Sequence, residues 1–230
     1  MKIMMVEGRY KGPINLSNLD ASILPKKIGL ATTIQFLDFV EEIKRYLESG
    51  GKAVFVDKMR QKYDGQLLGC DSGSAEKLEG KVDAFLYIGT GIFHPLGAAL
   101  NTGKDVFCYD PISAVLSKID NSKVEKYRTK RKAAWVRFLS SGFIGVLVSL
   151  KPGQNNFRKV DELKKKFNDK KYYVFVFDTL DFFQLENFPF IECWVNTACN
   201  RIMDDYGKFG KPLVDLSDME KENLLAVVIK

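Results

Sequence analysis

The sequence predicts an α/β protein with two similar small domains, each a four-stranded, mostly parallel sheet with flanking helices. Short apolar runs alternate with amphipathic stretches, the pattern typical of βαβ units. This alternation occurs twice along the 230 residues. The chain is 46% hydrophobic and 28% charged, so it has enough apolar side chains to build a core.

The first predicted domain covers residues 26–121 and follows an N-terminal region, residues 1–25, that holds a strand from Ile3 to Gly8 and a linker. Apolar residues at helical spacing predict a helix over 36–48, which ends at Gly50-Gly51. A short helix is predicted over 95–100. The predicted strands cover residues 27–33, 53–56, 84–88 and 105–109.

The second predicted domain covers residues 122–230 and opens with a basic helix over 122–139. Its predicted strands cover residues 143–150, 172–177, 193–197 and 211–215. Further helices are predicted over 156–167 and 180–185, and Ser217 begins a capped helix. The two halves are alike in architecture only, because they share no detailed sequence repeat.

The net charge of +6 is modest, and much of it lies between Lys118 and Arg137. The solvated face of a helix explains this cluster; a patch that meets an acidic protein or RNA is the alternative. No nucleic-acid-binding motif accompanies it. We expect a cytoplasmic protein without membrane contact, because no signal peptide is recognisable and no apolar run approaches the roughly 20 residues that span a bilayer.

The four cysteines occupy two kinds of position. Cys108 and Cys193 lie inside apolar strands, where a buried thiol without a ligand role is the usual case. Cys70 and Cys199 end their apolar runs and precede polar residues. Cys70 and Cys199 are therefore the candidate metal ligands.

A glycine loop with the only histidine follows the strand over 84–88, in the segment GTGIFHPLG, residues 89–97. Its amides can face an anion or a carboxylate at the start of a helix, although a tight turn would need these glycines as well. His94 is either structural or a group that orients substrate or donates a hydrogen bond. The turn over 151–154 ends a strand on the same side as Cys199 and either lines a pocket or is an ordinary turn.

Six segments carry a more specific signal. They are GQLLGCD (65–71), VDAFLYIGTGIFHPLGAAL (82–100), DVFCYDP (105–111), LVSLKPGQ (147–154), LENFPFIECWVNTACNRIMDDYG (185–207) and KPLVDLSDME (211–220). In this order they resemble the archaeal diphthamide synthase family, the 2-(3-amino-3-carboxypropyl)histidine synthases. The matching blocks cover most of residues 26–220.

The resemblance implies a radical enzyme that uses S-adenosylmethionine. Family members have three similar α/β domains, and each contributes one cysteine to a [4Fe–4S] cluster whose fourth iron meets S-adenosylmethionine. A 3-amino-3-carboxypropyl radical is released and adds to a histidine of translation elongation factor 2. By resemblance, Cys70 and Cys199 are the ligands of the second and third domains, and His94 is the candidate catalytic residue. The residues predicted to bind S-adenosylmethionine are Gly89, Gly91, His94, Gly97, Lys151, Gly153 and Gln154.

The chain departs from the family pattern in two ways. It begins near the second domain, so the first-domain cysteine is missing, and Asn200 stands where we expect proline. Two thiolates are few for an iron–sulfur cluster. We predict that Cys70 and Cys199 face one cleft, and that a third thiolate comes from a second copy or from a larger homologue, in a homodimer or heterodimer.

Two other functions remain open on the sequence. The chain is a noncatalytic companion subunit if it positions elongation factor 2 or stabilises a full-length homologue. Without the resemblance, the pattern also fits a nucleotide-binding α/β protein.

Overall fold

The computed structural model describes Met4, residues 6–69 and residues 71–221, without the side chains of Arg201, Asp204, Tyr206, Glu220 and Lys221. The chain forms two compact units, Met1–Tyr127 and Arg128–Lys230. Both units are α/β, as predicted. The division between them falls inside a long helix, α4, which covers Asn121–Ser140.

The first unit is built on a five-stranded sheet with the order β2-β1-β3-β4-β5. Its strands are β1 Lys27–Thr32, β2 Ala53–Phe55, β3 Ala84–Ile88, β4 Asp105–Asp110 and β5 Val115–Lys118. The first four are parallel, and β5 is antiparallel to β4. The sequence did not predict β5, because it is short, largely exposed and enters from a turn in which Ala114 has φ 54°.

Helices cover both faces of this sheet. A 3₁₀ helix over Ile34–Phe39 leads into α1 Val40–Ser49, and α2 Gly73–Glu76 and α3 Phe93–Thr102 follow. Along β3, Leu86 and Ile88 join one core cluster, whereas Phe85 and Tyr87 join the other. Successive side chains of β3 therefore point into the cores on opposite faces of the sheet, which is why β3 is apolar throughout.

The second unit is built on a four-stranded parallel sheet with the order β7-β6-β8-β9. Its strands are β6 Phe143–Ser149, β7 Lys171–Phe177, β8 Cys193–Asn196 and β9 Leu213–Asp215. Its other helices are α5 Phe157–Lys166, α6 Phe182–Leu185, a 3₁₀ helix over Asn200–Lys208 and α7 Leu216–Lys221.

The predicted cap of the last helix was misplaced by two residues. Helix α7 begins at Leu216, and the Asp215 carboxylate accepts the Ser217 backbone N–H at 2.9 Å. Asp215 caps α7 because its side chain already lies at the end of β9, directly before the helix.

The N-terminal prediction was also wrong for the residues described. Residues 6–8 form no strand, and Ile3 lies outside the described residues. Residues 6–20, which we call the N-terminal strap, instead cross the carboxyl edge of the first sheet. The Tyr10 N–H donates to Gln35 O at 2.8 Å, and the Asn15 N–H donates to Pro111 O at 3.0 Å.

Ion pairs reinforce the strap. Glu7 pairs with Lys62 at 2.7 Å, and Arg9 pairs with Asp38. The strap is held by side-chain charges and single backbone bonds, so it does not extend the sheet as a strand. Among the described helices, none is long and apolar enough to cross a membrane.

Candidate functional site

The first part of the glycine loop, residues 89–92, joins β3 to α3 at the carboxyl edge of the first sheet. Gly89 has φ 150° and Gly91 has φ 74°, conformations that a side chain disfavours. A Cβ on Gly89 would lie 2.6 Å from the Tyr87 hydroxyl oxygen, so the fold itself requires this glycine. Gly91 is exposed, and a Cβ there would have no atom within 4 Å. Its backbone therefore has open space that a ligand can enter.

His94 lies in the first turn of α3 and is half-buried. Its ring stacks on Tyr87, with ring centroids 6.2 Å apart, and meets the Phe93 ring edge-on at 5.1 Å. Gly97 follows at a spacing of three residues, which places it on the same side of the helix. A Cβ on Gly97 would also have no atom within 4 Å, so this side of α3 is open beside His94.

The segment that precedes Cys70 reaches the same edge. Thr32, at the end of β1, accepts the Leu67 N–H at 2.7 Å and donates its own N–H to Gly65 O at 2.8 Å. The Thr32 hydroxyl donates to Ile88 O at 2.7 Å, where the glycine loop begins. Cys70 itself lies outside the described residues, so its role as a ligand stays a prediction.

In the second unit, the loop after β6 holds three of the predicted residues. The Gln154 N–H donates to Lys151 O at 3.0 Å, and Gly153 has φ 79°, so the backbone closes a tight turn. The Asn156 amide donates to Thr197 O at 2.6 Å. This bond attaches the loop to the segment that follows β8.

Cys199 lies in that segment, three residues beyond β8, half-buried and without a disulfide. Its carbonyl accepts the Asn196 amide at 2.9 Å and the Ile202 N–H at 3.1 Å. Thr197 anchors the same segment, because its hydroxyl donates to Leu147 O at 2.8 Å. A half-buried cysteine is therefore held in a hydrogen-bonded turn at the carboxyl edge of the sheet.

Asn196 and Asp215 are site residues that the sequence analysis missed. Both are buried, and Asn196 donates to the Asp215 carboxylate at 2.7 Å. Burial raises the pKa of Asp215. Each is a polar residue at the end of an apolar run, and that signal, which singled out Cys199, would have found them.

Cys108 and Cys193 are buried within β4 and β8, as predicted, with exposed fractions of 6% and 0%. Burial raises the pKa of each thiol to about 12. Iron binds the thiolate, which a raised pKa makes scarce at neutral pH. Neither cysteine is suited to be an iron ligand where it lies.

The chemistry of Cys199 fits one ligand of an iron–sulfur cluster, since these clusters are held by cysteine thiolates. Among residues 6–69 and 71–221, no group of three histidine, cysteine, aspartate or glutamate side chains is arranged to hold a metal ion. The described residues thus fit a partial ligand set, which further thiolates would have to complete.

The candidate residues fall into two sets, each at the carboxyl edge of its own sheet, where open α/β sheets bind ligands. In the first unit these are Gly89, Gly91, His94 and Gly97. In the second unit these are Lys151, Gly153, Gln154 and Cys199, joined there by Asn196 and Asp215. Thr197, beside this second set, accepts a hydrogen bond from Asn156 of the loop after β6 and donates one to Leu147 of β6.

The sequence model of the family described as "Putative diphthamide synthesis protein" matches residues 11–222. The 2-(3-amino-3-carboxypropyl)histidine synthase of Pyrococcus horikoshii is 36% identical over 202 residues, which are 86% of this chain and 57% of that protein. The protein of the same name from Methanocaldococcus jannaschii is 33% identical over 193 residues, which are 82% of this chain and 49% of that protein. The chain therefore spans about half the length of these relatives.

Solved structures of the same family resemble this chain in fold. The crystal structure of Dph2 from Pyrococcus horikoshii matches with a TM-score of 0.75 at 31% identity, over 93% of this chain and 61% of that chain. The structure of Dph2 from the same organism with a 4Fe-4S cluster matches with a TM-score of 0.74, over 91% of this chain and 62% of that chain. Sequence and fold lead to one conclusion: the chain belongs to the family of diphthamide synthesis proteins.

Proposed function

We propose that the chain takes part in diphthamide synthesis in the cytoplasm. In this proposal it transfers a 3-amino-3-carboxypropyl group from S-adenosylmethionine to a histidine of translation elongation factor 2. A [4Fe–4S] cluster, when bound, supplies the electron that cleaves S-adenosylmethionine. Cys70 and Cys199 are the proposed ligands of this cluster from the chain.

The observation that carries the proposal is the setting of Cys199. Cys199 is half-buried and lies in a hydrogen-bonded turn just beyond the carboxyl end of β8. The two other cysteines that the structure describes are buried and have a pKa of about 12. A relative with the same fold is known with a 4Fe-4S cluster, so Cys199, the least buried of these three cysteines, is the natural ligand among them.

The remaining residues have proposed roles in binding S-adenosylmethionine. Open space beside Gly91 and Gly97 leaves room for the ligand to approach the backbone, and His94 lies between them. We assign His94 the role of orienting or hydrogen-bonding the bound ligand. In the second unit, the turn over 151–154 lines the proposed pocket beside Cys199.

The proposed third thiolate comes from another polypeptide, either a second copy or a larger homologue. Cys108 and Cys193 would have to leave their cores to reach a cluster. The partial ligand set among the described residues also favours a second candidate function. In that alternative the chain is a companion subunit that completes the site of a full-length homologue or stabilises it.

An anaerobic transfer assay tests the proposal and separates these alternatives. Elongation factor 2 is incubated with S-adenosylmethionine and a reductant, and the mass added to its histidine is measured. Modification by the chain alone supports the enzyme, and modification only with a full-length homologue supports the companion subunit. The absence of modification in both mixtures, with a full-length enzyme active as the positive control, would overturn the proposal.

A further inference from the structure

Asn196 and Asp215 form a buried polar pair at the end of two neighbouring strands. Strands β8 and β9 are parallel and place Asn196 directly opposite Asp215. The exposed fractions of the two residues are 0% and 3%. Asn196 Nδ2 donates to Asp215 Oδ2 at 2.7 Å, so each buried polar group has a partner in the other.

The Asn196 amide makes two further bonds, and both go to the Cys199 turn. Its Oδ1 accepts the Ala198 N–H at 3.0 Å, and its Nδ2 donates to Cys199 O at 2.9 Å. A backbone N–H can only donate, so Oδ1 must face Ala198 and Nδ2 must face Cys199 and Asp215. One side chain therefore fixes the backbone on both sides of the Ala198–Cys199 peptide.

Asp215 fixes the orientation of the amide. Its other carboxylate oxygen accepts the Ser217 N–H at 2.9 Å, so the carboxylate is held by the first turn of α7. Burying a carboxylate is costly, and an apolar pair of this size would stabilise the sheet at least as well. Stability alone does not account for this pair, whereas control of the Cys199 turn does.

We propose that Asn196 and Asp215 are positioning residues for Cys199, with Asp215 orienting the Asn196 amide and Asn196 setting the backbone from which the Cys199 thiol extends. The purpose of this positioning, which is to present Cys199 as a cluster ligand, rests on the proposed function. The hydrogen bonds, and their effect on Cys199, do not depend on whether a cluster binds.

A swap of the two side chains separates positioning from stability. Asn196→Asp removes both amide N–H donors and places a second carboxyl group against Asp215 and Cys199 O. In the double variant Asn196→Asp, Asp215→Asn, the amide of the new residue 215 donates to the new carboxylate, which restores the buried pair. The bond to Cys199 O stays lost, because the new residue 196 has no donor.

The readout is the rate at which iodoacetamide alkylates Cys199 in the full apo chain, localised by fragment mass spectrometry, alongside the free energy of unfolding. Asn196→Asp should lower stability and change the alkylation rate by about fivefold or more, the factor that one lost hydrogen bond supplies. The double variant should regain stability and keep the altered rate. The control is Tyr172→Phe, which removes a hydrogen bond to Phe167 O and should leave the Cys199 rate unchanged.

Two results would overturn the inference. One is an alkylation rate within twofold of wild type in Asn196→Asp, and the other is a double variant whose rate returns to wild type together with its stability. If Asn196→Asp does not fold, Asn196→Ala replaces it, with an altered rate expected and an unaltered rate contradicting the inference. Because this readout needs no iron, it decides the positioning role even if the chain binds no cluster and the proposed function fails.

Discussion

Cys193 and Cys199 are only six residues apart, yet they have opposite environments. Cys193 is fully buried in β8, and burial raises the pKa of its thiol to about 12. Cys199 lies beyond the strand, in a turn built by Asn196. Both cysteines lie in the segment over 185–207, so it is their position relative to the end of β8 that decides which of them is suited to bind a metal.

The buried thiols should therefore contribute only packing. We expect Cys108→Ala and Cys193→Ala each to lower the free energy of unfolding by about 1 kcal/mol, as typical single mutations do, and to leave iron binding intact. Urea unfolding and iron analysis of identically reconstituted protein measure both effects. Loss of iron from either folded variant would show that the cluster is built inside this chain and that no outside thiolate is needed.

Substitution of Gly97 tests ligand binding without a loss of stability that would obscure the result. It lies in α3 with open space around it, so Gly97→Ala should raise the free energy of unfolding by roughly 0.5–1 kcal/mol. If the ligand approaches this backbone, the added methyl should also weaken S-adenosylmethionine binding several-fold, measured by anaerobic calorimetry. The control is Gly80→Ala, at another open glycine that precedes β3. Unchanged affinity in Gly97→Ala would remove Gly97 from the binding site.

At the scale of elements, the N-terminal strap depends on charge. The pKa of Glu7 is lowered from 4.5 to about 2 by hydrogen bonds from Lys62, Tyr63 and Arg9. A lowered pKa means that the Glu7 carboxylate stabilises the fold above its ordinary pKa. This contribution is lost as the pH falls from about 4.5 to about 2.

Glu7→Gln should therefore be less stable than wild type at neutral pH, with the difference constant above pH 5 and shrinking as the pH falls towards 2. The effect should be modest, since the pairs are exposed to solvent. Unfolding free energies from pH 2.5 to pH 7 measure it, with Glu48→Gln on α1 as the control. A difference that does not change with pH would mean that the ion pairs do not hold the strap.

The two glycines near the start of β6 give a matched test of sheet packing. A Cβ on Gly145 would overlap the Trp194 ring, whereas one on Gly142 would lie 3.9 Å from its nearest neighbour, Glu192 Oε2. We expect Gly145→Ala to cost about 1–3 kcal/mol through overpacking and Gly142→Ala to cost little. Thermal unfolding compares them, and equal stabilities would show that the Trp194 ring can move aside.

These elements also show what local sequence can predict. Parallel strands such as β3 and β6 are apolar over most or all of their length, so their runs stand out. Strand β5 is exposed on an edge and has no such run. The pairing of Asn196 with Asp215 depends on β8 lying next to β9, a long-range fact that local patterns do not contain. The apolar runs did predict that Cys199 lies just beyond a strand.

For the whole molecule, the two units repeat one arrangement. In each, a glycine turn with positive φ follows a parallel strand at the carboxyl edge, at Gly89 and Gly91 in the first unit and at Gly153 in the second. Cys199 lies at this edge of the second sheet, and the segment over 65–67 reaches the same edge of the first sheet. We propose that each unit supplies one thiolate and that another polypeptide supplies the remaining ligand.

The role of Cys199 as a cluster ligand is tested most directly by the iron content of the anaerobically reconstituted chain. Electron paramagnetic resonance with and without S-adenosylmethionine follows. We expect iron and sulfide in wild type, a spectrum that changes with S-adenosylmethionine, and loss of the cluster in Cys199→Ser while Cys193→Ser keeps it. If the chain binds a cluster only when mixed with a full-length homologue, the third ligand comes from that homologue. A cluster that persists unchanged in folded Cys199→Ser would show that Cys199 is not a ligand of the cluster.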